Sequence, residues 1–266
     1  MIPPVLCYHK VERRRELGVT RLAPARFAAQ IHALADAGWR GMSLTEFTAV
    51  VRGDRVAGDH ELLVTFDDAY RGLRDYAFPV LRDAGFSAVC FVITDFAGRL
   101  NRWDVAYGGR RFAHLAWRDI ETWHARGVAF ASHTATHPRL SWVDDARLDD
   151  ELQRSRRSLQ RALGTPTIAI SYPFGVADAR VVAATARCGY TTGFTLGGRW
   201  TGDALRVPRH AVHCWSSVVP VVGPLGRVER LVSTVASRIA VGTSLWQRAI
   251  GATQGSAERE NDALRV

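Results

Sequence analysis

From residue 5 to residue 213, apolar runs of strand length alternate with segments of helical periodicity, and this rhythm leaves few architectures open. "PPVLCY" reads as a first short strand. Phe27, Ile31 and Leu34 then recur at helical spacing between Ala25 and Ala37, and Gly38 stops the helix. Ser43 and Glu46 have the form of a capping box opening a second helix. "ELLVTF" is strand-like, Tyr70 to Ala84 helical, and "SAVCFVI" a buried strand. A longer connection rich in Gly and Arg, Thr94 to Ala113, precedes a helix carrying Leu115, Ile120 and Trp123. The strand "VAFAS", a charged helix from Asp144 to Leu163, the strand "TIAIS" and a helix from Ala177 to Cys188 follow. "YTTGFTL" and "ALRVPRHAVH" read as extended. The pattern predicts parallel strands wrapped by helices, as a barrel or a doubly wound sheet, in one domain over residues 1–220.

Residues 221–266 differ in character. Val228, Leu231, Val232, Val235, Ile239 and Trp246 fall on one helical stripe, with Arg227, Arg230 and Arg238 outside it. This predicts a C-terminal amphipathic helix packed on the domain, with peripheral membrane contact as the alternative, and then a polar tail. The N-terminus "MIPPVLCYHKVE" has no basic leader followed by a long apolar run, so the expected location is cytoplasmic.

An apolar fraction of 47% over 266 residues supplies a sizeable core and argues against disorder. Four separated cysteines, without a CxxC pair, give neither a disulfide framework nor a thiolate zinc site. The formal charge is +9, but Lys10 is the only lysine and the arginines are scattered rather than striped, so nucleic acid is not an expected partner.

Chemistry enters with "LLVTFDDAYRG". Its strand ends in adjacent carboxylates, Asp67 and Asp68, where repulsion and partial burial both cost free energy. Parallel α/β folds place their chemistry at such strand ends. Side chains alternate along a strand, so the two acids suit a division of labour in which one binds a cation and the other accepts a proton. After "VAFAS", "SHTATH" carries His133 and His137 four apart, a spacing that aims two imidazoles at one point on a helical turn or a compact loop. With a strand-end carboxylate they make a three-ligand set that leaves positions open, which is a catalytic pattern. "SYPFG" forms a sharp turn after "TIAIS", and His9 follows the first strand at the same face.

Taken together, "TFDD", "SHTATH", "SYPFG" and "CYHKV" resemble the polysaccharide deacetylase family, carbohydrate esterase family 4, from about Val5 to His213. The resemblance implies a distorted (β/α)7 barrel and a metal-dependent hydrolase that removes N-acetyl groups from a sugar or polysaccharide. It implies Asp67 as the general base that activates the attacking water. Asp68, His133 and His137 become the ligands of one divalent ion, zinc by default. Phe174 takes the place of the aromatic whose backbone N–H binds the oxyanion, and Tyr172 and Pro173 are expected at the substrate. The N-terminal Tyr-His segment is similar to that of the subgroup acting on β-1,6-linked N-acetylglucosamine polymers, which assigns His9 as the acid with His213 as the alternative. Ser171 stands where the third motif normally has an arginine steadying the base, and Arg209 is the candidate to supply that cation from another strand. Two rival readings are a catalytically silent glycan-binding or synthesis-accessory protein and a glycoside hydrolase. The second needs two acids flanking a bond about 5–10 Å apart, which neighbours engaged with histidines fit poorly.

Overall fold

The computed structural model describes residues 2–16, 18–103 and 111–216. The expected C-terminal helix and tail lie outside the described residues. Strand β1 (Val5–Tyr8) leads into a small parallel pair, β2 (Lys10–Val11) and β3 (Arg21–Leu22). Then come α1 (Pro24–Asp36), the stub β4 (Arg40–Gly41) and α2 (Leu44–Arg52). Strand β5 (Glu61–Phe66) is followed by a π-helical turn (Leu73–Ala77) that runs into α3 (Phe78–Asp83), and then by β6 (Ala88–Val92). The remaining elements are α4 (Trp117–His124), β7 (Ala129–Ser132), α5 (Asp145–Leu163), β8 (Ala169–Ser171), α6 (Ala179–Arg187), β9 (Thr192–Leu196) and β10 (Val207–Ala211).

Seven of these strands, β1 and β5 to β10, pair in parallel in chain order, and β1 closes the ring by pairing with both β10 and β5. Stub β4 pairs at the start of β5. This is a closed (β/α)7 barrel, the barrel alternative of the sequence reading. No helix separates β9 from β10. The expected capping box forms, with Ser43 and Glu46 bonding reciprocally at the start of α2. All four cysteines are free. Among the described residues, no helix is long and apolar enough to cross a membrane.

Strand alternation sorts the core into two surfaces. Val5, Leu63, Val89, Phe91, Ala131, Ala169, Phe194 and Val207 form one buried cluster that fills the barrel, with Met42 and Phe47 among them. Leu6, Tyr8, Val64, Phe66, Cys90 and Phe130 belong to the outer cluster beneath α1, α3 and α4. The register therefore carries Cys7, Thr65, Asp67, Ser171 and Arg209 inward, as a polar layer above the apolar filling and at the C-terminal ends of the strands.

Candidate active site

At the centre of that layer, Arg209 is 1% exposed and grips Asp67 with both arms, Nη1 to Oδ1 at 2.8 Å and Nη2 to Oδ2 at 2.7 Å. The fork geometry fixes the carboxylate plane as a single donor could not. Arg209 also donates to Ser171 Oγ (2.7 Å) and Thr65 Oγ1 (3.2 Å), while Ser171 Oγ donates to Asp67 Oδ2 (3.2 Å). A third donor to Oδ2 is the Cys7 thiol at 3.5 Å. Burial alone would raise the pKa of Asp67, but the charge of Arg209, helped by His133, outweighs it and holds the carboxyl well below the ordinary range.

Asp68 takes a different direction because the chain turns there. Its φ of 68° and the 53° of Ala69 are left-handed values that non-glycine residues seldom adopt. The turn brings Asp68 Oδ1 to 3.4 Å from His133 Nε2 and 3.7 Å from His137 Nε2. The strand's end thus splits two neighbouring acids between different partners, Arg209 for one and two imidazoles for the other. His133 and His137 reach Asp68 from a compact loop without a helical turn, in which Thr134 (φ 65°) and His137 (φ 64°) are again left-handed.

These three side chains fit a divalent cation. One ligand atom from each lies within 4.8 Å of the other two. Two bonds of about 2.0–2.2 Å at a tetrahedral angle span roughly 3.3–3.6 Å, close to the distances just given. His133 Nδ1–H donates to the Ser171 carbonyl at 2.8 Å, which leaves its Nε2 lone pair facing the others. Asp68 Oδ1 is buried with no hydrogen-bond partner. Burial and the neighbouring His133 push His137 down to about 3, so its ring is neutral, as a ligand must be.

The structure places the other expected residues as follows. His9 follows β1, and with Cys7 it offers a ligand atom within 4.8 Å of Asp67. Burial holds its pKa below the ordinary histidine value, and the charges of Asp68 and Asp67 offset this only in part. His213 is stacked on Trp215 (centroids 5.1 Å apart, planes at 9°), and burial, then the charge of His9, lowers it to about 4. Phe174 has φ 61°, with its ring 4.9 Å from that of His137. Pro173 is buried in the same turn. Tyr172 is a correction: its side chain is fully buried among Leu140, Leu152, Ile170, Val181 and Tyr190, beneath α5 and α6. It follows Ser171, which faces inward, so strand alternation sends it outward, away from the polar layer that holds Asp67 and Arg209.

Besides Cys7, two supporting residues escaped the sequence reading. Glu151 of α5 is 1% exposed, and its carboxylate accepts the backbone N–H groups of Ala135 (2.9 Å) and Thr136 (2.8 Å) and the Thr136 hydroxyl. It holds the loop between the two histidines. The signal was present, since Glu151 falls on the buried stripe of Leu148, Leu152, Ser155 and Leu159. His114 accounts for the second and carried no such signal, lying in an irregular connection.

Residues 54–193, just over half of the chain, match the polysaccharide deacetylase family. The chain belongs to that family. The matched span contains both aspartates, both histidines and the "SYPFG" turn, and it excludes His9 and Arg209. YxkH of Bacillus subtilis (strain 168), a protein named for the same family, is 26% identical over 192 residues, covering 72% of this chain. The chain spans 63% of the length of that relative. Among solved structures, the Streptococcus pyogenes deacetylase PplD superposes with a TM-score of 0.73 at 21% identity, over 84% of this chain and 99% of PplD. BC0361, a polysaccharide deacetylase from Bacillus cereus, gives 0.68 at 25% identity, over 88% of this chain and 69% of its own.

Proposed function

We propose that the protein removes N-acetyl groups from an N-acetylated sugar polymer, using one divalent cation, zinc by default, held by Asp68, His133 and His137. The observation that carries this reading is the division of the acid pair. Arg209 occupies Asp67 in a bidentate grip, while Asp68 is left to the two imidazoles. When bound there, the ion supplies Lewis acidity that lowers the pKa of a water and polarises the acetyl carbonyl.

The chain's own groups do the rest. Asp67, kept ionised by Arg209, accepts the proton of the attacking water. Its orientation is set by Arg209, Ser171 and Cys7 together. The Phe174 turn, in a backbone conformation disfavoured for a side-chain-bearing residue, is the candidate for a backbone donor to the oxyanion. An amide anion is too poor a leaving group, so the departing amine takes a proton, and His9 is the assigned donor. Supporting this choice over His213 is position: His9 offers a ring nitrogen within 4.8 Å of Asp67, whereas His213 is stacked on Trp215.

The test is incubation with β-1,6- and β-1,4-linked N-acetylglucosamine oligomers, reading free acetate and chain length by mass spectrometry. The expected result is acetate release at constant chain length, greater on the β-1,6 series. Shortened chains would identify a glycoside hydrolase instead. Oligomer binding without acetate would identify the silent accessory protein.

A further inference from the structure

Outside the residues already assigned, one irregular segment touches the metal-ligand set twice. His114 is 2% exposed, and its Nδ1 lies 2.6 Å from the carbonyl oxygen of Asp68. A carbonyl only accepts, so Nδ1 carries the hydrogen. The other ring nitrogen, Nε2, is then an acceptor, and Trp103 Nε1–H, a group that can only donate, meets it at 3.1 Å. The neutral ring is thereby fixed in one tautomer. Its plane lies on Tyr70, with centroids 4.9 Å apart and an angle of 18°. The indole that sets this tautomer also packs against His137, with ring centroids 4.0 Å apart.

The backbone nearby is built to match. Leu115 N–H donates to Ala69 O and Arg71 N–H to Ala113 O, both at 2.8 Å, and Tyr70 and His114 form an antiparallel bridge. Segment 113–115 therefore clamps segment 69–71 immediately beyond Asp68, which with Ala69 makes two successive left-handed non-glycine residues. Such conformations persist only where surrounding contacts over-determine them. The Asp68 carbonyl is the bond that reaches the ligand residue itself.

We propose that His114 is a positioning residue. By donating to the Asp68 carbonyl it fixes the turn that aims the Asp68 carboxylate at His133 and His137, and Trp103 joins this brace to the His137 ring. The inference rests on the proposed ligand set. Outer groups that orient metal ligands are typically worth about 10–100-fold in affinity.

The test is zinc affinity of the full chain, by competition with a chromophoric chelator, alongside the visible spectrum of the cobalt(II)-loaded protein and a melting curve. His114→Phe keeps a ring on Tyr70 and deletes the donor, so zinc should bind about 10–100-fold more weakly and the cobalt bands should shift. His114→Asn restores an N–H donor, and most of the affinity should return. Trp103→Phe removes the bond that selects the tautomer while keeping an aromatic ring beside His137, and should cost less than His114→Phe. Zinc affinity in a folded His114→Phe within about twofold of the parent, or no recovery with His114→Asn, overturns the proposal. Should His114→Phe not fold, a folded Trp103→Phe with unchanged affinity and spectrum overturns it, and a weakened, shifted one supports it. A parent protein that binds no zinc would instead overturn the ligand set beneath it.

Discussion

Asp67 and Asp68 are chemically identical, and their surroundings alone separate them. Asp67→Asn should keep bound metal and lower the rate of acetate release by about 10²–10⁴-fold. It should also melt earlier, because Arg209 would be left buried without its counter-charge. Arg209→Met reverses the imbalance. Burial, the opposing influence in the native site, would then dominate and raise the pKa of Asp67. A carboxylate must be ionised to take a proton. The native rate should therefore be flat with respect to this group across neutral and mildly acidic pH, whereas that of Arg209→Met should rise with pH. A pH–rate profile with the same acid limb for both proteins would refute the pairing's role. The depressed pKa also contributes stability, present above the ordinary carboxylate value of about 3.9 and lost as pH falls further. At this scale the sequence was informative wherever a residue type and a strand end coincided. It was silent on Cys7 and His114, whose roles come from neighbours distant in the chain.

At the scale of elements, helix and strand positions were legible because periodicity and capping agreed, as at Ser43 and Glu46 or along α5. The two-residue strands β2, β3 and β4 were not, being too short to show a period. The loop bearing the histidines was legible as a compact connection, but its left-handed residues were not, since threonine seldom adopts that region and even histidine, which enters it more readily, does so in a small minority of cases. Glu151 stabilises that loop from outside it. Glu151→Leu would orphan two backbone N–H groups and a hydroxyl, so chemical denaturation should show a loss of at least about 2 kcal/mol, together with weaker metal binding. Glu61, at the start of β5, is bonded by Arg55 (2.6 Å), the Gly58 N–H (2.9 Å) and Arg40, and its pKa falls from 4.5 to about 2. Glu61→Gln should cost about 1 kcal/mol at neutral pH, after allowance for solvent screening. That difference is fully present above about 4.5 and should vanish as pH falls toward 2, which urea titrations at pH 7 and near pH 2 would reveal. In the "SYPFG" turn, Gly175 has φ 68°, and an added Cβ would meet the Leu196 side chain at 2.3 Å. Gly175→Ala should accordingly lower the melting temperature.

For the molecule as a whole, the sequence left a barrel and a doubly wound sheet open on periodicity alone. What decides between them is β1 pairing with both β5 and β10, contacts that span most of the described chain and leave no local signature. Closure is also what assembles the site. It brings the end of β1 beside Asp67 of β5, whose N–H donates to the Tyr8 carbonyl at 2.9 Å, and sets Arg209 of β10 across from both. The polar layer was readable in principle as every second residue of the strands, which is why Tyr172, one step out of phase, was misplaced. The net charge of +9 has no counterpart in a basic stripe along the sequence, and it carries no part of the account.

The most direct measurement is the metal content of the exhaustively dialysed protein, together with its acetate release before chelation, after it, and after zinc is returned. One equivalent of divalent metal per chain, activity lost to the chelator and regained with zinc, and no retained metal in Asp68→Ala are the predicted results. Full acetate release by the metal-free protein would contradict the account.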